Sequence, residues 1–83
     1  MYRAKIHITL KPTVMDAQGT TAQKALRNLG FGGVENVRIG KYVTLDLPDG
    51  DRAQAEAAVT DMCRKLLANP VIEEFSFELE ESQ

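Results

Sequence analysis

The sequence holds one cysteine, Cys63, one histidine, His7, and no tryptophan among its 83 residues. A lone cysteine excludes an internal disulfide, and with a single histidine it also excludes a four-ligand Cys/His zinc site. Such sparing use of cysteine fits a reducing cytoplasm. No apolar run approaches the roughly 20 residues that a membrane span needs, and M-Y-R-A-K-I-H-I-T-L lacks the continuous apolar core of a secretion signal. Positive charge is not in excess either. Ten Lys and Arg against twelve Asp and Glu leave a net charge of −2, and nucleic-acid-binding domains are usually basic. These absences describe a soluble, cytoplasmic chain without a nucleic-acid or membrane partner. It reads as one domain over residues 1–83, frayed at 81–83, and small enough to gain stability from self-association.

What the sequence does have is alternation. In V-E-N-V-R-I-G-K-Y-V-T-L-D-L-P, from Val34 to Pro48, the residues Val37, Ile39, Val43, Leu45 and Leu47 share one parity, broken only by Lys41. A period of two places them on one face of a pleated strand. A two-residue turn at Gly40-Lys41 would send Val43 and Leu45 to the opposite face from Ile39. One buried face therefore requires either a three-residue loop, Gly40 to Tyr42, or one long strand bent at Gly40. A long strand overruns so small a domain and invites pairing with a second chain.

Tyr2 to Lys11 alternates as well, with Ala4, Ile6, Ile8 and Leu10 on one face and Arg3, Lys5, His7, Thr9 and Lys11 on the other. Pro12 ends that strand. Residues 12–19 read as a polar connection. Thr20 or Thr21 can cap a first helix whose thin apolar stripe is Ala22, Ala25, Leu26 and Leu29, closed by a left-handed Gly30. Asp51 can cap a second helix, in which Ala55, Ala58, Val59, Met62, Cys63, Leu66 and Leu67 form a full core-facing stripe. Asn69-Pro70 ends it, and Val71–Glu80 is a last strand with Phe75, Phe77 and Leu79 inward. Counting the central stretch as two strands gives β-α-β-β-α-β, the α+β ferredoxin-like arrangement: an antiparallel sheet with two helices on one face. The outer strand charges Arg3, Lys5 and Lys11 then face Glu74, Glu78 and Glu80.

Chemistry is scarce. His7 lies on a polar strand face without an acid-base partner at a recognisable spacing, and Cys63 falls inside the apolar stripe of the second helix. Gly30, Gly32 and Gly33 follow a helix instead of preceding one, so they make no phosphate-binding loop. No catalytic, cofactor-binding or metal-binding residue is assigned. Arg38, Gly40, Lys41 and Tyr42 form the most distinctive polar cluster and are the first candidates for docking a partner, with Asn69 and Pro70 as a second edge. An RNA-binding sheet would expose aromatics, whereas Phe75 and Phe77 share the buried parity. A stand-alone, ligand-sensing dimeric module similar in layout to ACT domains is the alternative to an interaction subunit.

Three motifs carry a resemblance over nearly the whole chain: V-M-D-A-Q-G-T-T-A-Q-K-A-L at Val14 to Leu26, V-E-N-V-R-I-G-K-Y at Val34 to Tyr42, and M-C-R-K-L-L-A-N-P-V-I-E at Met62 to Glu73. The sequence resembles the PurS family, the small subunits of bacterial and archaeal phosphoribosylformylglycinamidine (FGAM) synthase. The family pattern has Pro after the first Asp, where this chain has Ala17. The resemblance implies a non-catalytic subunit of a purine-biosynthetic amidotransferase that forms dimers, with tetramers left open. It implies bridging of a PurQ glutaminase to a PurL synthetase that holds ATP and Mg²⁺, so that ammonia passes between them to convert formylglycinamide ribonucleotide to its amidine. This subunit would bind no cofactor itself.

Overall fold

The computed structural model describes residues 1–81. Three strands form an antiparallel sheet in the order β2-β1-β3: β1 is Tyr2–Leu10, β2 Lys41–Leu47 and β3 Glu73–Glu81. The first and last strands are neighbours, as the ferredoxin-like topology implied. Register aligns the parities: Ile6 sits between Val43 and Phe77, and Ala4 between Leu45 and Leu79. Every apolar side chain of that face therefore points the same way. Glu81 pairs with Tyr2 and belongs to β3, so the expected fraying does not include it, while residues 82 and 83 lie outside the described residues.

Helix α2, Arg52–Met62, covers the apolar face. The Asp51 carboxylate accepts a bond from the Ala53 N–H at 3.1 Å, so the expected cap is in place. Val59 and Cys63 are fully buried with Ile6 and Ile8, and each large apolar side chain buried there contributes about 2 kcal/mol. The stripe does not continue as α-helix. Cys63–Leu67 is a π turn closed by the Ala68 N–H on the Cys63 carbonyl at 2.9 Å. Burial consequently steps from Cys63 to Ala68, leaving Leu67 half-buried and Leu66 out of the core. Exchanging a leucine for an alanine in that place forgoes roughly 2 kcal/mol of burial. On the opposite face Lys5 meets Glu80 at 2.6 Å, but Arg3 pairs with Asp46 of β2 and Lys11 with a backbone carbonyl.

Within the chain the central stretch does not fold back as a hairpin. Only Lys41–Leu47 is strand, and it pairs with β1 instead of folding back on residues 34–40. Residues 34–40 join no ladder within the chain, because their backbone is engaged by helix α1, Ala17–Asn28. The Val37 N–H donates to Gln23 Oε1 at 3.3 Å and the Ile39 N–H to Asp16 Oδ2 at 2.7 Å. Asn36 turns the chain with a φ of 56°. Helix α1 and this returning segment form an arm, and α1 buries only Gly19. The arm makes the molecule elongated, 50 × 29 × 14 Å, with a radius of gyration of 16.3 Å where a compact chain of this length has about 12 Å. No helix among the described residues is long and apolar enough to cross a membrane.

Asp16, not Thr20 or Thr21, caps α1. Its Oδ1 accepts from the Gly19 N–H at 2.8 Å, and the two threonine hydroxyls bond back to carbonyls four residues earlier. At 5% exposure Asp16 is the single buried charged residue among those described. The Gly19 and Ile39 amides hold its carboxyl below the usual carboxylate range. A carboxyl depressed in the fold stabilises above its unfolded value, near pH 4, and that contribution is lost as pH falls through the folded value. Stability should therefore drop from about pH 5 downward. In denaturant unfolding from pH 7 to pH 3, Asp16→Asn should be less stable at neutral pH and lose part of that acid dependence. At Gly19 a Cβ would stand 2.1 Å from the Val37 carbonyl oxygen, against backbone that cannot yield. Gly19→Ala should cost about 2 kcal/mol or more and lower Tm by roughly 10 °C at fixed protein concentration. Gly32→Ala, whose Cβ would meet nothing within 4 Å, should change Tm little.

Candidate interaction site

Two segments carry the candidate residues. Arg38–Tyr42 crosses from the arm onto β2, and Asn69–Pro70 leads from the π turn into β3. Because β1 lies between β2 and β3, both segments arrive at its Leu10 end. There they form one hydrogen-bonded clasp. Arg38 Nη2 donates to the carbonyls of Lys11 and Val14, each at 3.0 Å, and Lys11 Nζ donates to the Pro70 carbonyl at 2.9 Å. Lys41 Nζ donates to the Leu67 carbonyl at 3.2 Å and lies 3.6 Å from Glu73 Oε2. Glu73 Oε1 in turn accepts the Asn69 N–H at 2.8 Å, and Asn69 Oδ1 accepts the Val71 N–H at 3.0 Å.

This geometry explains why Lys41 interrupts the apolar parity. Opposite Ile8 it has the inward parity, but it lies at the sheet's end, where its ammonium meets a helix-end carbonyl and a carboxylate. Gly40 is required by a close approach. A Cβ there would lie 2.5 Å from the Ile8 carbonyl oxygen and would push the crossing segment off β1. Tyr42 points to the open sheet face, 56% exposed, with its ring 4.9 Å from that of His7. All six candidates are solvent-accessible, although Arg38 and Lys41 have donors bound to the chain's own carbonyls.

Around the clasp stand exposed apolar side chains: Met15, Leu66 and Val71 largely so, Ile39 and Ile72 in part. A cavity of about 310 Å³ opens among Ile8, Leu10, Asp16, Ile39, Lys41 and Glu73. Cys63 is fully buried, and desolvation pushes its thiol pKa up, which makes it a poor nucleophile. The arrangement suits recognition by contact. A rigid polar frame holds exposed apolar groups at fixed positions, the usual makeup of a protein-binding surface. Sequence reasoning missed Asp16, Lys11 and Glu73 as members of the frame. Asp16 had a readable signal, an Asp three residues before Gly19 at a helix start. Glu73 had none, since the ammonium it meets, that of Lys41, lies far away in sequence.

Comparison with known proteins agrees with this layout. The family model described as "PurS: Phosphoribosylformylglycinamidine (FGAM) synthase" matches residues 3–81. The PurS subunit of phosphoribosylformylglycinamidine synthase from Synechocystis is 47% identical over 94% of this chain and 78% of its own length. The structure of Bacillus subtilis PurS superposes with a TM-score of 0.89 at 44% identity, covering 98% of this chain and 100% of that one. A chain in the structure of PurLQS from Thermotoga maritima superposes with a TM-score of 0.87 at 28% identity, covering 95% and 96%. A match along this much of the chain, together with its arm and three-stranded sheet, makes it a member of the PurS family.

Proposed function

We propose that this chain is a non-catalytic subunit of a cytoplasmic FGAM synthase, bridging a PurQ-type glutaminase and a PurL-type synthetase. One observation carries the reading. The two candidate edges converge on a single hydrogen-bonded end of the sheet, flanked by exposed apolar side chains. Family membership and the likeness to a chain of PurLQS supply the identity of the assembly.

In such an assembly the chemistry lies elsewhere. Glutamine releases ammonia at the PurQ-type subunit. At the PurL-type subunit that ammonia, with ATP and Mg²⁺, converts formylglycinamide ribonucleotide to the amidine, giving ADP and phosphate, while the glutamate is left at the PurQ-type subunit. The bridge contributes by holding the two sites together, which raises the effective concentration of ammonia at the second and limits its escape to water. This subunit itself would hold no cofactor. A second copy would cover the outer face of α1 and add to the free edge of β2. The edge of β3 is guarded by Glu74, Glu78, Glu80 and Glu81, while β2 presents the charge-poor Tyr42 to Leu45.

Purified PurL- and PurQ-type subunits, assayed with and without this chain, test the reading. Glutamine-dependent amidine formation should depend on the chain, while formation from added ammonia should depend on it far less. Equal glutamine-dependent rates in its absence would contradict the bridging role. An effector-dependent change in the chain's own dimer stability, without either partner, would favour the sensing alternative.

A further inference from the structure

The arm and the sheet are held by different means. Every member of the apolar cluster beneath α2 lies at or before Ile8 or at or after Val43. Between Pro12 and Gly40 the buried residues are Asp16 and Gly19, so the arm buries no apolar side chain, while Leu29, Phe31 and Ile39 stand exposed on it. Its polar contacts are internal. Asp16 holds the Gly19 and Ile39 amides, Gln23 holds that of Val37, and Arg27 Nε donates to the Val34 carbonyl at 3.1 Å. Among the described residues, the hydrogen bonds that cross to the sheet start at the arm's root, Lys11. Its amide donates to the Ile72 carbonyl at 2.8 Å and its ammonium to that of Pro70. The two ends of the arm leave the sheet side by side, because Ile8 pairs with Lys41. The arm is thus a long connection between neighbouring strands, and opening it leaves their ladder and the core in place.

Hydrogen bonds that replace bonds to water contribute little net stability, and a helix of 12 residues is marginal in water unless one face is packed. Alone, the arm lacks the burial that offsets the entropy of ordering it. We propose that residues 12–40 are a cooperative unit separate from the sheet, which a second copy of the chain orders by covering it. The proposal rests on the second copy placed over α1 above, and adds that the arm is folded only there. The occupant's surface is this chain's own. The groove of Ala17, Gln18, Thr21, Ala22, Ala25 and Ile39 carries no charge, so it can meet its own image across a two-fold axis without setting like charges together. Self-association then decides more than size. Arg38, which ties the Lys11 and Val14 carbonyls, belongs to this unit, so its side of the clasp forms only in the associated chain.

Hydrogen exchange of the full chain, above and below the association midpoint found by light scattering, tests this. Below the midpoint residues 17–40 should exchange at least about a hundredfold faster than above it, while Tyr2–Leu10 keeps its protection. Ala25→Glu sets a charge in the groove at an exposed helical position. It should raise the midpoint at least about tenfold and open the arm at concentrations where the unaltered chain is closed, with β1 unchanged. An arm that stays protected in the dispersed chain would overturn the proposal. Arm and strands that lose protection together form one cooperative unit and overturn it as well. An arm open at every concentration, and closed only by added PurL- or PurQ-type subunits, would give the groove to a larger partner and overturn it equally. The readout is exchange of the chain alone, so the proposal and the bridging assay fail separately.

Discussion

The carboxylate of Asp16 is the contact on which the shape of this molecule depends. One oxygen binds the Gly19 amide and starts helix α1, and the other binds the Ile39 amide and fixes where the returning segment runs. Without the second bond nothing polar ties residue 39 to the helix start, and the chain could continue the β2 ladder backward. Gly19 makes the approach feasible, because any side chain there would occupy the place of the Val37 carbonyl. Buried backbone amides need partners, and Asp16 and Gln23 provide them in place of a neighbouring strand. The arm is consequently held by hydrogen bonds more than by burial, which leaves its apolar side free for another molecule.

The sheet was the most legible part of the chain. Alternation in Tyr2–Leu10, Tyr42–Leu47 and Glu74–Glu80 encodes both strand and face, and the pairing of first with last strand followed from the topology that this order implies. Period two says which way side chains point, but it does not say what a backbone bonds to. Val37 and Ile39 have the right parity for a strand, yet their amides are taken by Gln23 and Asp16. The end of the second helix failed for a related reason. A stripe at intervals of three and four presumes constant pitch, and the residue inserted after Cys63 changes the pitch. The brace at Leu67 comes from Lys41, far away in sequence, so no local pattern announces it.

The candidate residues were legible as residues and not as a site. Arg38, Gly40 and Lys41 stood out by composition, as did Asn69 and Pro70 by their place after a helix, but only the fold shows that they share one clasp. It also changes what they do. Gly40 is required by the nearness of β1, Arg38 ties the arm to the end of β1, and Lys41 bonds the last carbonyl of the π turn. Their polar groups build the frame, and the groups presented outward are mostly apolar. A small subunit can influence a reaction through such a surface. It offers a stiff surface of defined outline, and its leverage is the geometry it imposes on larger partners.

The central claim is that the Leu10 end of the sheet meets the larger subunits while the α1 face meets a second copy. Hydrogen exchange of this chain, alone and in the reconstituted complex, tests it most directly. The account predicts new protection in the complex concentrated at residues 64–72. It also predicts that α1 is protected already in the isolated chain and that its protection changes little on assembly. Protection that appears on α1 only when the larger subunits are added, with residues 64–72 exchanging as before, would contradict it.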